Sequence, residues 1–306
     1  MKVSIVGCGH FGSILAYTLF LRNFLDEITL IDEDINKATR TAYDLNQASP
    51  IVGSTKVFSG GFEKLIDADI VVIAAGIRRK EGDSRLDLSY QNYPIVQDIT
   101  EKIAEYNTKC ILIVATNPVD IMTYVALKVS GFPKERVIGL GTLNDMIRMR
   151  YFIASKLQLN PRDINLIIIG EHGDSMVPLF SSANVAGIPL NKIIGFDDLI
   201  KKEVIEKTRK SGEKIISLGG SPSYAPATAA TLLIENIAFN SKNIVPVSTF
   251  SSNIYEIENI CLSLPARVGS KGIEEILVPS LNEDELTLLH HSYETLQKEI
   301  DKLFKS

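Results

Sequence analysis

The segment Ala74–Arg85, which reads AAGIRRKEGDSR, contains four cationic side chains and continues an apolar run at residues 69–75. Such a run is typical of a buried strand, and an open α/β sheet binds its ligands just beyond the carboxyl ends of its strands. Arginine presents a planar fork of N–H donors that fits carboxylates and phosphates. The segment therefore predicts a site for an anionic small molecule.

Three glycines near the N-terminus form a second candidate site. Gly7, Gly9 and Gly12 make the pattern GxGxxG, which follows the first apolar run and opens a helical segment. Glycines in this pattern permit a tight turn and a close approach of the backbone to a pyrophosphate, and the helix N-terminus offers N–H donors to the phosphates. Taken alone, the pattern could also be a plain glycine-rich turn.

Asp32 makes the glycine pattern more specific. It ends the second predicted strand, at the place where a carboxylate accepts hydrogen bonds from a ribose diol. Taken alone, Asp32 could also cap a helix or end a strand. Together with the glycines it predicts a dinucleotide site, and NAD is favoured over NADP because the carboxylate would repel a 2′-phosphate.

Three later segments carry polar residues where a core or a simple turn would not need them. Thr116–Asp120, TNPVD, follows an apolar run, and Asn117 could either orient a ligand there or cap the next helix. Asp145 and Arg148 share one face of a predicted helix, as a simple ion pair would. His172 lies in the glycine-flanked loop GEHGDS, directly after a buried strand. Loops that leave a strand commonly carry chemistry.

The alternation of apolar runs and helical patterns predicts how these segments are positioned. Over residues 1–141, six strands alternate with helices, which predicts an α/β fold with a doubly wound parallel sheet of the Rossmann type. The mixed pattern of residues 142–306 predicts a second, α+β domain for the substrate. The predicted strands cover 2–7, 27–32, 55–59, 69–74, 109–114, 136–139, 163–169, 177–186, 244–251 and 258–268, and the predicted helices cover 10–23, 34–47, 87–107, 118–130, 142–158, 197–217, 223–240 and 282–303.

Composition restricts the class of protein. With 306 residues the chain is long enough for two domains, and its net charge of −5 argues against a nucleic-acid partner, which would need a basic face. No apolar run approaches the roughly 18–20 residues that span a bilayer. Cys8, Cys110 and Cys261 form no CxxC pair, so we predict buried free thiols in a cytoplasmic protein without a membrane partner.

The motifs together resemble those of one enzyme family. GCGHFG, AAGIRRKEGDSR, TNPVD, GTLNDMIRMR and GEHGDSMVP occur in the order and with the spacing of the lactate/malate dehydrogenases, and the similarity runs through essentially the whole chain. The resemblance implies hydride transfer between NAD and a small 2-hydroxy acid, with no metal. It also implies a homodimer or a homotetramer.

The same resemblance implies a role for each candidate residue. His172 would be the proton donor and acceptor for the substrate oxygen, and Asp145 would hold its imidazole in the useful tautomer. Arg148 would bind the C1 carboxylate in a bidentate pair. Arg85 would polarise the reacting carbonyl, since a cation near the oxygen favours the transition state over the ground state. Asn117 would assist near both the substrate and the nicotinamide.

Arg79 carries the choice of substrate under this resemblance. It falls where lactate enzymes have glutamine and malate enzymes have arginine, because the second carboxylate of oxaloacetate needs a cation. We therefore expect a malate dehydrogenase that acts on a small dicarboxylic acid, and Met176-Val-Pro178 also resembles malate enzymes. The simpler alternative for Arg79 is a solvated residue of a lid, beside Arg78 and Lys80.

Departures from the family pattern leave alternatives open. Pro222 stands where lactate enzymes favour threonine and malate enzymes a small residue, so an L-lactate or other 2-hydroxyacid dehydrogenase is the alternative function. A non-catalytic NAD-binding protein is the third hypothesis. Asn144 also departs from the family, since it replaces the usual leucine before Asp145.

Overall fold

The computed structural model describes residues 1–78 and 85–305 of the chain, and its strands and helices alternate through the first half. The strands are β1 Lys2–Val6, β2 Glu27–Ile31, β3 Lys56–Ser59, β4 Ile70–Ile73, β5 Ile111–Val114, β6 Val137–Gly139, β7 Ile164–Asn165, β8 Ile168–Ile169, β9 Val177–Pro178, β10 Asn184–Val185, β11 Ile188–Pro189, β12 Asn243–Ser251, β13 Ile260–Gly269 and β14 Gly272–Ile276. The α-helices are α1 His10–Arg22, α2 Ile35–Gln47, α3 Ser49–Val52, α4 Arg85–Tyr106, α5 Val119–Ser130, α6 Leu143–Leu157, α7 Asp198–Arg209, α8 Ser211–Ser217, α9 Tyr224–Ala238 and α10 Glu283–Lys305.

The N-terminal half forms a doubly wound parallel sheet in the strand order β3-β2-β1-β4-β5-β6. Every residue of β4 and β5 is buried and apolar, because helices cover both faces of a parallel sheet. The strand order reverses between β1 and β4, and ligands bind beyond the carboxyl ends of the strands at such a switch point. The predicted Rossmann fold is confirmed.

The same sheet continues into the C-terminal half. Strand β12 pairs antiparallel with β6 where Ser248 lies opposite Gly139, and β13 and β14 extend the sheet further. A side chain at Gly139 would lie 2.7 Å from the Cβ atom of Ser248, so the close pairing at this junction requires glycine. The division into domains at residue 141 stays a prediction, but one sheet joins the two halves within the described residues.

Helices pack on both faces of this sheet and form two apolar clusters. On one face α9 packs against α1, and Arg22 of α1 forms an ion pair of 2.6 Å with Glu235 of α9. On the other face α4, α5 and α10 lie together. All three cysteines are free and buried, as predicted. Among the described helices, none combines the length and the apolar character that crossing a bilayer demands.

The elements of the C-terminal half differ from the predictions. The apolar run 163–169 is two short strands, because β7 pairs with β10 while β8 pairs with β9 in another sheet. The run 177–186 is divided in the same way between β9 and β10. The predicted helix 197–217 is divided into α7 and α8 at Lys210. An apolar run reports burial, but it does not show where a strand changes its partner.

Candidate active site

The turn between β1 and α1 is built on glycine for two different reasons. Gly7 has φ +106°, and a Cβ atom there would overlap the backbone nitrogen of Ala75. A Cβ atom at Gly12 would overlap the carbonyl oxygen of Gly7. These two glycines therefore allow the turn to pack against β4 and the helix to pack against the strand.

Neither the backbone angle nor a close contact with a described residue requires glycine at position 9. Its φ of −66° is accessible to any residue, and the nearest described atom to a Cβ there would be the Nη2 atom of Arg78, at 3.9 Å. Gly9 precedes the N-terminus of α1, where backbone N–H groups favour an anion. The turn therefore fits a pyrophosphate, which needs a close approach to the backbone.

Arg78 also belongs to this part of the site. Its side chain is exposed, as expected for a solvated neighbour of Arg79, but its guanidinium lies close to Gly9. A cation there would face the phosphates of a dinucleotide bound at the turn.

Asp32 lies beside the glycine turn, as predicted. Its carboxylate accepts hydrogen bonds from the backbone N–H of Cys8 at 2.6 Å and of Asp34 at 3.1 Å, and from the Lys37 ammonium at 3.2 Å. Burial alone would raise the pKa of Asp32, but these donors together hold it below its ordinary value. The ionised carboxylate therefore fits a ribose diol and opposes a 2′-phosphate.

The structure brings His172 and Asp145 together from different elements. His172 lies in the loop after β8 and Asp145 in the first turn of α6, yet the Nδ1 atom of the ring lies 2.5 Å from the Oδ2 atom of the carboxylate. The aspartate is buried, whereas the histidine side chain keeps 21% of its surface exposed. A carboxylate that accepts from Nδ1 leaves Nε2 as the nitrogen that can exchange a proton with a ligand.

Strand β13 holds both of these elements in place. Gly170, just before the histidine loop, exchanges two backbone hydrogen bonds of 2.9 Å with Ser263. The side-chain hydroxyl of the same serine accepts from the backbone N–H of Thr142, which precedes α6, at 2.9 Å. The loop and the helix are therefore fixed to one residue, and this explains how Asp145 and His172 reach each other.

Asp120 is a site residue that the sequence analysis did not single out. Its carboxylate accepts a hydrogen bond of 2.7 Å from the backbone N–H of His172. It is almost completely buried, and burial raises the pKa of Asp120 to about 6. The signal that could have found it is a carboxylate inside the otherwise apolar start of α5, VDIM.

Arg148 lies next to this histidine–aspartate pair. Its Nη1 atom is 3.7 Å from the Oδ1 atom of Asp145, and 14% of the side chain is exposed. Burial lowers the pKa of Arg148, while the charge of Asp145 raises it. A guanidinium beside an imidazole could bind a carboxylate and bring the rest of the ligand to the proton donor.

Asn117 lies at the carboxyl end of β5, as predicted, and the bond to Pro118 is cis. Its side chain is exposed, and its backbone oxygen accepts a hydrogen bond of 2.7 Å from the Nδ2 atom of Asn92. Asn92 is fully buried and also binds both the N–H and the carbonyl of Ile77, at 2.7 and 3.2 Å. Asn92 therefore ties the start of the basic segment to Asn117.

Three predicted positions stay open. Arg79 lies outside the described residues. Arg85 begins α4, but its side chain lies outside the described part of the chain. Pro222 lies between α8 and α9, near Gly212 of α8, so it packs beside a helix pair that the sequence had predicted as one helix. The roles of both arginines stay predictions.

Comparison with known proteins agrees with this geometry. A family model described as the NAD-binding domain of lactate/malate dehydrogenase matches residues 1–139. A second, described as the α/β C-terminal domain of the same family, matches residues 142–306. The chain belongs to the lactate/malate dehydrogenase family. As a member of this family it is an NAD-dependent oxidoreductase, and Gly7, Gly9, Gly12 and Asp32 are the residues that fit the cofactor.

Relatives within the lactate/malate dehydrogenase family carry both names. An L-lactate dehydrogenase of Acetivibrio thermocellus is 40% identical over 307 residues, which cover 99% of this chain and 97% of the relative. The crystal structure of a minor L-lactate dehydrogenase from Enterococcus mundtii has a TM-score of 0.94 at 33% identity and 98% coverage of both chains. That of a malate dehydrogenase from Cryptosporidium parvum has a TM-score of 0.96 at 32% identity, with 100% and 99% of the two chains covered.

Proposed function

We propose that this chain interconverts a small 2-oxo acid and the corresponding 2-hydroxy acid, with pyruvate and lactate as the first candidate pair. We infer the type of reaction from the pair His172–Asp145, which has Arg148 beside it. This arrangement offers one group that moves a proton and one that binds a carboxylate, close to each other and to the carboxyl ends of the parallel strands.

The residues of the chain divide the reaction between them. NAD, when bound at the glycine turn, supplies the hydride chemistry. Arg148 holds the C1 carboxylate of the substrate, and His172 donates a proton to the carbonyl oxygen or takes one from the hydroxyl. Asp145 accepts from Nδ1, so it fixes the tautomer and stabilises the imidazolium ion. Under the family resemblance, Arg85 polarises the carbonyl as negative charge develops on its oxygen.

The names of the relatives support pyruvate and lactate as the first candidates. The relative with 40% identity is named an L-lactate dehydrogenase, and so are those of Clostridium botulinum with 37% identity. Arg79 in the sequence favours malate, but these relatives support the lactate alternative better. We therefore place lactate first.

Malate and oxaloacetate are the second candidates, and Arg79 is the observation that favours them. Oxaloacetate brings a second carboxylate that a guanidinium can bind, whereas pyruvate would leave the guanidinium without a partner. Breaking one buried, hydrogen-bonded charge pair costs roughly 2–5 kcal/mol. An arginine that faced the substrate would therefore discriminate strongly between the two acids.

Oxidation of NADH with pyruvate and with oxaloacetate, measured side by side, tests this proposal. A higher kcat/KM for pyruvate supports lactate, and a higher value for oxaloacetate supports malate. Arg79→Gln should then lower turnover of oxaloacetate far more than that of pyruvate if Arg79 binds the second carboxylate, with Lys80→Gln as the control. NADH binding without turnover of any 2-oxo acid would contradict catalysis and support the third hypothesis, a non-catalytic NAD-binding protein.

We also propose that the chain forms a homodimer or homotetramer in the cytoplasm. Large apolar side chains of α2, α3 and α6 are exposed, among them Tyr43, Tyr151 and Ile51, which is 92% exposed. Burial of such side chains in a subunit interface would remove apolar surface from water, which favours association. Light scattering at micromolar concentration measures the mass, and the mass of a single subunit would contradict the proposal.

A further inference from the structure

Asn144 is buried in the first turn of α6, one turn before Arg148, and only 5% of it is exposed. The guanidinium of Arg148 offers only N–H donors, so the amide of Asn144 is oriented with its oxygen toward Arg148. In this orientation the oxygen accepts hydrogen bonds from the Nη2 and Nη1 atoms of Arg148, at 3.1 and 3.2 Å. Residues four apart on a helix lie one above the other, so this contact is local to α6. The amide oxygen thus lies at the Nη1–Nη2 edge of the guanidinium.

The carboxylate of Asp145 hydrogen-bonds to His172 and not to the guanidinium of Arg148. Its Oδ1 atom is 3.7 Å from Nη1 of Arg148, which is beyond hydrogen-bond distance, while its Oδ2 atom is 2.5 Å from the ring of His172. The two neighbours on α6 therefore have different partners. The aspartate orients the imidazole, and the asparagine orients the guanidinium.

We propose that Asn144 is a positioning residue that fixes the guanidinium plane of Arg148 and thereby sets the affinity of the enzyme for the C1 carboxylate of its substrate. The inference rests on the proposed function, in which Arg148 binds that carboxylate. An amide is a neutral acceptor, so it restrains the guanidinium without neutralising its charge.

The chemistry of Arg148 makes such a restraint useful. The arginine side chain has many rotamers, and ordering them when substrate binds lowers affinity. Its donors are also largely buried, and a buried donor without an acceptor is unfavourable. Asn144 satisfies two of these donors before substrate arrives, so the guanidinium is ordered in the free enzyme.

Replacement of Asn144 by leucine tests the inference by steady-state kinetics with the better of the two 2-oxo acids. We expect Asn144→Leu to raise the KM for the acid about tenfold and to change kcat by less than about threefold. The Kd for NADH should stay within twofold of that of the unchanged enzyme, because Asn144 lies in α6 and not at the glycine turn. An unchanged KM, or an equal loss in kcat and in NADH affinity, would overturn the inference.

A double-mutant cycle shows whether Asn144 acts through Arg148. In the Arg148→Lys background the fork is absent, so Asn144→Leu should change the KM by less than twofold. The same tenfold change in both backgrounds would overturn the inference. If Asn144→Leu does not fold, Asn144→Ser, which removes the amide and leaves a short side chain, makes the same comparison.

Failure of the inference is distinguishable from failure of the proposed function. If the unchanged enzyme reduces no 2-oxo acid, the proposed function is wrong, and the inference that rests on it falls too. If the unchanged enzyme is active and Asn144→Leu keeps its KM, only the inference is wrong. Calorimetric binding of oxamate, a carboxylate that cannot be reduced, to the enzyme loaded with NADH should weaken about tenfold in Asn144→Leu and provides a readout besides activity.

Discussion

The cofactor half and the substrate half of this enzyme are built in different ways. The glycine turn Gly7–Gly12 offers mainly backbone to its ligand and lies within one β-turn-α unit, with Asp32 added from the next strand. The substrate site consists of side chains from α6 and the loop after β8, and Asp120 of α5 supports it from 52 residues away.

This difference teaches that the two halves should respond differently to mutation. In the cofactor half, atoms must be absent so that a pyrophosphate can approach, and adding a methyl group is the damaging change. In the substrate half, polar atoms must be present at fixed positions, so exchanging one atom of a side chain is enough to lower activity. The predictions below test this contrast.

The largest effect is expected at Asp145. In Asp145→Asn the amide no longer fixes the histidine tautomer or stabilises the imidazolium ion, so general acid–base catalysis by His172 is lost. We expect kcat to fall by about 10²–10⁴-fold, the usual contribution of such a group. Steady-state kinetics and NADH titration measure the two effects separately.

The Kd of Asp145→Asn for NADH should stay unchanged, because no hydrogen bond or ion pair among the described residues joins the glycine turn or Asp32 to α6. His172→Ala is the matched variant and should behave alike. A kcat within threefold of that of the unchanged enzyme would show that the pair His172–Asp145 is not needed for catalysis. A large loss of NADH affinity would contradict the separation between the cofactor half and the substrate half.

Asp120 should give a smaller effect, on stability. Burial raises its pKa from 3.8 to about 6 in the folded state, so the folded protein binds this proton more tightly than the unfolded chain does. The carboxyl group therefore destabilises the fold progressively as pH rises from about 4 to 6, and fully above that range. Asp120→Asn has no charge and keeps an oxygen for the N–H of His172, so it should raise the free energy of unfolding by about 3 kcal/mol at pH 7.5.

Urea unfolding at pH 7.5 and at pH 4.5 measures this difference. The stabilisation by Asp120→Asn should shrink to about a third at pH 4.5, because it vanishes only below about pH 4, where Asp120 is protonated in both the folded and the unfolded protein. Asp98→Asn, at a position of α4 where the side chain is 59% exposed, is the control for replacing an aspartate by asparagine at the surface. An equal gain at both pH values would mean that burial of the charge is not its cause.

The smallest effect is expected at Gly9. In Gly9→Ala the nearest described atom to the new methyl group is the Nη2 atom of Arg78, at the ordinary contact distance of 3.9 Å. The methyl group intrudes, however, where the pyrophosphate approaches, so the Kd for NADH should rise about tenfold while the melting temperature changes little. Gly12→Ala is the contrasting variant, because its methyl group would overlap the carbonyl of Gly7 and destabilise the protein itself. Fluorescence titration and thermal unfolding measure both quantities, and equal melting temperatures of the two variants would contradict this account.

The sequence predicted the cofactor half closely. The six parallel strands, the four helices that alternate with them and the place of Asp32 at the end of β2 all agree with the structure. Local rules suffice there, because a buried parallel strand needs a continuous apolar run and the turn needs glycine at defined positions. The C-terminal half was predicted less well, since β7 and β8 differ only in their distant partners.

The residue types of the site were evident from the sequence by itself, as was the glycine turn: GxGxxG with its aspartate, and His172, Asp145 and Arg148. Only the tertiary structure decided which atoms meet. It assigned one carboxylate to the ring of His172 and another, Asp120, to its backbone, and it placed the amide of Asn144 beside the guanidinium of Arg148. The physical reason is that hydrogen bonds act over about 3 Å, and such distances depend on how strands far apart in sequence pair in one sheet.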